Sequence, residues 1–171
     1  IGPMLFISSY GHTAILAEPN MTKDFSPASD DWYNASWHYR KSVSINGSSG
    51  AGTDYQILLN VTYDSDMKSD FGDIRFVDES AELDYWLESY TASTFALFWV
   101  EVTANLDTNQ TIYMYYGDSG LSTTSDGEAT FLFYEDWSTQ SVRAEVWDIV
   151  AGDGTITYDL TDANHGYVMR A

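Results

Sequence analysis

Apolar and polar residues alternate with a period of two through most of this chain. Trp37, Tyr39, Val43 and Ile45 alternate with His38, Arg40, Ser42 and Ser44. Tyr55, Ile57, Leu59, Val61 and Tyr63 alternate with Gln56, Leu58, Asn60 and Thr62. Successive strand residues point to opposite faces of a sheet, so this period predicts strands with one buried face. Further strands are expected at 74–77, 83–90, 95–102, 111–116, 131–134, 142–150, 155–160 and 167–170. The run Phe95-Ala-Leu-Phe-Trp-Val is apolar on both faces and is expected to be a central strand. Clusters of Gly, Asn, Asp and Ser at 46–52, 64–66, 117–120, 125–127 and 152–154 separate these runs. Such residues tolerate turn dihedrals and bond their own backbone. The three Pro all fall within the first 27 residues, so none interrupts a strand. Many short strands at this spacing predict an all-β fold, an antiparallel β-sandwich or jelly roll.

The first residues break this pattern. Met4, Leu5, Phe6 and Ile7 form a short apolar run, and Ile15 and Leu16 follow in a stretch that is apolar for a terminus. Four residues cannot span a bilayer. The segment reads as the end of a longer apolar helix, as a strand donated to a neighbouring subunit, or as the first strand of its own sheet. Residues 20–31 read as a polar linker. The expected organisation is therefore an apolar segment and linker over 1–31, a sandwich over 32–128, and further strands over 129–171. Those last strands either complete the sandwich or begin another domain. A membrane is expected to be engaged only through a segment upstream of residue 1.

Composition narrows the class. The chain has 171 residues, 44% of them apolar and 16% aromatic, which is too much core-forming material for disorder. Seven Lys and Arg stand against 26 Asp and Glu, for a formal charge of -19. Such a surface holds no basic stripe to track phosphates, which argues against a nucleic-acid partner. The sequons Asn20-Met-Thr, Asn34-Ala-Ser, Asn46-Gly-Ser, Asn60-Val-Thr and Asn109-Gln-Thr are spread along the chain. An acceptor for an N-linked glycan has meaning only in an exported chain, so together they point to an extracellular, cell-surface location. There is no Cys. Small secreted eukaryotic domains usually lean on disulfides, so the expectation shifts toward an archaeal or bacterial envelope protein that relies on its core.

Candidate chemistry is sparse. Gly117-Asp-Ser-Gly120 reads as a turn, since the base and orienting carboxylate of a serine nucleophile have no matching segments. His12, His38 and His165 are scattered without metal spacing, and His38 falls on the polar face of a strand. Glu82, Asp84, Glu88, Glu101, Glu135 and Asp136 are acids of the type a glycosidase needs, but among so many acids no pair stands out. Asp64, Asp66, Asp70 and Asp73 concentrate oxygens in one expected loop and are candidates for Ca²⁺. That loop begins like an EF-hand but lacks its Gly and terminal Glu. Gly152-Asp-Gly with Asp159 and Asp162 forms a second acidic loop. In Tyr113–Tyr116 and Tyr85-Trp86 aromatics fall on both faces, one for a core and the other for sugars, a partner subunit or a second sheet.

The residues also resemble a known family. Trp37-His-Tyr-Arg-Lys-Ser-Val-Ser-Ile, Asp54-Tyr-Gln-Ile-Leu-Leu-Asn-Val, Asp73-Ile-Arg-Phe-Val-Asp, Glu82-Leu-Asp-Tyr-Trp-Leu-Glu-Ser-Tyr, Phe98-Trp-Val-Glu-Val and Ile112-Tyr-Met-Tyr-Tyr-Gly-Asp follow one another as in domain of unknown function 2341. The resemblance covers roughly residues 32–118. It implies an extracellular or envelope protein of archaea or bacteria. It also implies that a concanavalin/laminin-G-like segment follows, and Ala129–Trp137 with Val146-Trp-Asp-Ile-Val is similar to its start. The family carries no settled activity. The expected function is a non-enzymatic, glycosylated structural protein that self-associates into a surface filament or pilus-like polymer through its N-terminal segment. The alternatives are a carbohydrate-binding or adhesion module of a larger envelope protein, and a glycosidase.

Overall fold

A computed structural model describes residues 33–34, 37–79 and 81–134, together with the strand backbones of 23–25, 157–159 and 168–170. In chain order the strands are β1 (Lys23–Phe25), β2 (Tyr39–Ile45), β3 (Tyr55–Thr62), β4 (Arg75–Asp78), β5 (Ala81–Glu82), β6 (Tyr85–Thr91), β7 (Phe95–Val102) and β8 (Gln110–Tyr116). A single helical turn, α1 (Gly127–Thr130), follows. Two further strands, β9 (Thr157–Asp159) and β10 (Val168–Arg170), pair antiparallel. The chain divides into two units. One runs from Ser8 to Leu132 and contains β1–β8; the β9–β10 pair belongs to the other.

Within the first unit the strands form two antiparallel sheets, one ordered β1-β2-β8-β4-β5 and one ordered β3-β7-β6. The period of two becomes a sandwich because one face of each sheet is apolar. Tyr55, Ile57, Leu59 and Val61 of β3 are buried while the residues between them are half-buried or exposed. On β7, Ala96, Phe98, Val100 and Val102 turn inward. They join Val43, Ile45, Phe76, Tyr85, Ile112, Met114 and Tyr116 in one apolar cluster drawn from both sheets. The expected central strand is central, with β7 hydrogen-bonded to β3 on one side and β6 on the other. At its middle, Phe98 meets Phe76 edge-on at 5.3 Å and Tyr85 at 5.7 Å. Each such side chain contributes about 1.5–3 kcal/mol by leaving water.

A second, smaller cluster explains the aromatics on both faces of β8. Met114 and Tyr116 enter the main core, whereas Tyr115 turns the other way and packs with Trp37 and Val77. The Trp37 and Tyr115 rings lie 5.6 Å apart.

Two local expectations are corrected. Residues 20–31, read as a linker, include β1, whose Lys23, Asp24 and Phe25 register with Lys41, Arg40 and Tyr39 of β2. The expected strand at 131–134 is absent. Asp126 instead caps α1, its Oδ1 accepting from Glu128 N and Ala129 N, and Thr130 N closes the turn on Asp126 O. Phe131, just after it, is buried against the Trp86 and Trp99 rings. An alternating pattern only four residues long is decided by the capping aspartate and by where one aromatic can be buried. The expected strand at 142–150 lies outside the described residues.

Candidate functional site

The sequons are the first group of candidate residues. Asn34, Asn46, Asn60 and Asn109 are all exposed. Asn60 faces outward from β3 between buried Leu59 and Val61, as alternation required. Asn46 and Asn109 are brought together, which the sequence did not indicate. Ile45 registers with Gln110, and Gly47 N donates to Asn109 Oδ1 at 2.9 Å across 62 residues of chain. A side chain at Gly47 would meet the Thr108 carbonyl, so only glycine allows the 46–52 loop to lie this close to the 104–109 loop. Asp107 Oδ1 then accepts from Gly50 N and Gly52 N, and these bonds hold its carboxyl below the ordinary aspartate range. Asn20 and the candidate assembly residues Met4, Leu5, Phe6, Ile7, Ile15 and Leu16 lie outside the described residues.

The four candidate calcium ligands share a loop but serve separate roles. Asp64 Oδ1 accepts from Asp66 N, while its Oδ2 pairs with Lys41 Nζ at 3.3 Å and accepts from the Tyr116 hydroxyl at 3.2 Å. Burial first, and Asp64 second, keep that phenol protonated far above its ordinary range. Asp70 Oδ1 accepts from Gly72 N. Asp73 is fully buried; its Oδ1 accepts from Lys68 N at 3.0 Å and its Oδ2 from Gly117 N at 2.8 Å. Among the described residues, no group of three or more His, Cys, Asp or Glu is placed to hold a metal ion. The second acidic loop, at Gly152–Gly154, lies outside the described residues.

The acids named for glycoside chemistry are likewise dispersed in role. Glu88 Oε2 accepts from Trp99 Nε1 at 2.8 Å, and Glu101 Oε1 accepts from Gln56 Nε2 at 3.2 Å. Burial, then the nearby Asp54 and Asp84, raise the Glu101 carboxyl above its ordinary value. Glu135 and Asp136 lie outside the described residues. The Gly117–Gly120 segment is the turn that was expected, with Leu121 N bonded to Asp118 O and Gly120 N to Asp118 Oδ1. His38 is exposed, its Nδ1 2.7 Å from Gly117 O.

One cluster was missed by sequence reasoning. Arg75, at the start of β4, is only 5% exposed, where arginine is rare unless paired. Its Nη1 donates to Ile74 O at 2.7 Å, Gly72 O at 3.3 Å and the Tyr85 hydroxyl at 3.3 Å, and its Nη2 donates to Ser122 O at 2.6 Å. Its Nε lies 3.8 Å from Glu82 Oε2. The Tyr85 hydroxyl also accepts from Thr124 N at 3.0 Å, and Lys68 Nζ donates to Leu121 O at 2.7 Å. These bonds fasten the segment 121–124 across the sandwich. Beside Arg75 they leave a pocket of about 300 Å³ lined by Asn34, Trp37, Arg75, Glu82, Asp118, Leu121 and Thr124. Arginine on a short apolar run was the available signal, since a cation within Ile74–Val77 must find partners when the strand is buried.

Residues 70–150 match the family model of a domain of unknown function, DUF2341. Over those residues the chain is similar to DUF2341. The match contains Asp73–Asp78, Glu82–Tyr90, Phe98–Val102 and Ile112–Asp118 of the motifs that bore the resemblance, while those at 37–45 and 54–61 lie before it, and it overlaps the range read from sequence between 70 and 118. Asp73, Arg75, Glu82, Asp118 and the 121–124 segment all fall within the matched residues. No curated protein and no solved structure matches the chain.

Proposed function

We propose that this DUF2341 protein is a non-enzymatic, N-glycosylated structural protein of the cell exterior, a subunit of a surface filament. The observation that supports this reading best is the exposure of Asn34, Asn46, Asn60 and Asn109. A glycan joined to each Nδ2 stands in solvent without displacing a core residue, and on Asn109 it leaves Oδ1 bonded to Gly47 N. The acidic surface and the absence of Cys fit an envelope protein held by its core alone. Assembly is assigned to the apolar residues Met4–Ile7 with Ile15 and Leu16, which fill pockets of a neighbouring copy as a helix or a donated strand.

The native protein tests both parts. Its intact mass should exceed the polypeptide mass by whole glycans, and Gln at each sequon should remove one increment. Electron microscopy should show polymers, while a chain lacking residues 1–19 should remain folded and monomeric. A bare polypeptide mass would sink the glycoprotein reading. Polymers from the truncated chain would sink the assembly mechanism.

A further inference from the structure

We infer that the pocket beside Arg75 binds a neutral, hydroxyl-rich ligand about the size of one sugar ring. Its volume of about 300 Å³ stands at the foot of the ~300–1,000 Å³ range of small-molecule sites, which suits one ring rather than an oligosaccharide. The lining places opposite hydrogen-bonding roles side by side. Arg75 offers only N–H donors, and Glu82 and Asp118 offer carboxylate acceptors. Thr124 Oγ1, which gives its hydrogen to the Tyr85 hydroxyl, adds a further acceptor. Arg75 Nε and Glu82 Oε2, at 3.8 Å, are too far apart to bond each other directly. A hydroxyl set against both can accept from Nε–H and donate to the carboxylate.

Charge selects against the alternatives. An anion drawn to the guanidinium meets Glu82 and Asp118, and a cation drawn to those carboxylates meets the buried Arg75. A neutral polyol satisfies both sets without carrying a charge of its own out of water. Trp37 and Leu121 add apolar wall for the C–H face of a ring. The wall is also pre-ordered, because Lys68, Arg75 and Tyr85 already hold Leu121, Ser122 and Thr124 in place. A ligand therefore spends little of its interaction energy on ordering the loop. Occupancy of this pocket does not depend on whether the chain polymerises.

The same chemistry has two sources, a free saccharide or a glycan carried on Asn34 at the pocket itself. The full chain made in a host without N-glycosylation leaves Asn34 bare. Titration of it with glucose, galactose, N-acetylglucosamine and glucuronate, followed by the Trp37 indole resonance, should show a response to at least one neutral sugar and a weaker one to glucuronate. Glu82→Gln and Asp118→Asn should each weaken the neutral sugar at least about fivefold, the loss of one charge-assisted hydrogen bond. Both variants are expected to fold, since Glu82 is exposed and Asn at 118 keeps the acceptor for Gly120 N. In the native glycoprotein, a response to free sugar only after glycan removal would assign the pocket to the Asn34 glycan; a response before removal would assign it to a free ligand. No response to any neutral sugar, a response unchanged in both variants, or glucuronate binding as tightly as the neutral sugars would overturn the proposal.

Discussion

Replacing Asp73 separates a structural carboxylate from a cation ligand. Its two oxygens accept from Lys68 N at 3.0 Å and Gly117 N at 2.8 Å, so one buried side chain ties the 64–73 loop to the end of β8. Hydrogen bonds to an ionised acceptor contribute about 1.5–3 kcal/mol each. Asp73→Ala removes both and leaves two donors in a site where the carboxylate itself is fully buried. Lys68 and Gly117 are themselves half-buried, so water replaces part of the loss. The expected cost is about 3–5 kcal/mol, a large share of the ~5–15 kcal/mol that holds a domain folded. Asp73→Asn keeps one acceptor oxygen and turns an amide N–H toward the other donor, for an expected cost of about 1.5–3 kcal/mol. Urea unfolding of the full chain, monitored by tryptophan fluorescence with and without millimolar Ca²⁺, reads both quantities. An alanine variant within about 1 kcal/mol of the parent would refute the clamp, since one such bond alone is worth more. So would a Ca²⁺-induced rise in the parent's midpoint that disappears in Asp73→Asn, because it would make Asp73 a ligand.

Three further outcomes follow from the same geometry. Phe98→Ala, at the junction with Phe76 and Tyr85, should cost about 3–5 kcal/mol in the same unfolding assay, and a cost near zero would mean the sheets do not pack there. Tyr85→Phe should cost about 1–3 kcal/mol and speed amide exchange at Thr124, because Arg75 Nη1 and Thr124 N lose a shared acceptor; unchanged exchange at Thr124 would count against the network. The raised Glu101 carboxyl binds its proton more tightly in the folded state, so its contribution is present in full below the ordinary glutamate range and is lost as pH rises through the folded value. Glu101→Gln, which keeps an acceptor for Gln56, should therefore stabilise the protein at neutral pH and give no advantage in acid, and a gain that is the same at both would remove burial and the Asp54 and Asp84 charges as its cause.

Much of the fold was legible because each long strand carries its own address. In β3, Tyr55, Ile57, Leu59 and Val61 declare the buried face without reference to any partner, and the same alternation sent Asn60 outward. The apolar run Phe95–Val100 within β7 announced a central strand. Two short elements were not legible. β1 spans three residues and exists by pairing with β2, and α1 is a single turn set by the Asp126 cap and the burial of Phe131. Nothing local in those residues outweighs the neighbours.

By itself, the sequence determined the all-β class, the inward face of the long strands, the sequon positions and the family resemblance, since these depend on residue type and near spacing. Only the tertiary structure decided which distant residues meet. It joined Gly47 to Asn109, turned the acids of the 64–73 loop to separate partners, and buried Arg75 under Tyr85 and the 121–124 segment. The reason is physical. Alternation tells a strand which face to bury, but strand order and register determine what lies across from it, and a buried charge or an unbonded N–H takes its partners from whatever the register brings within about 3 Å.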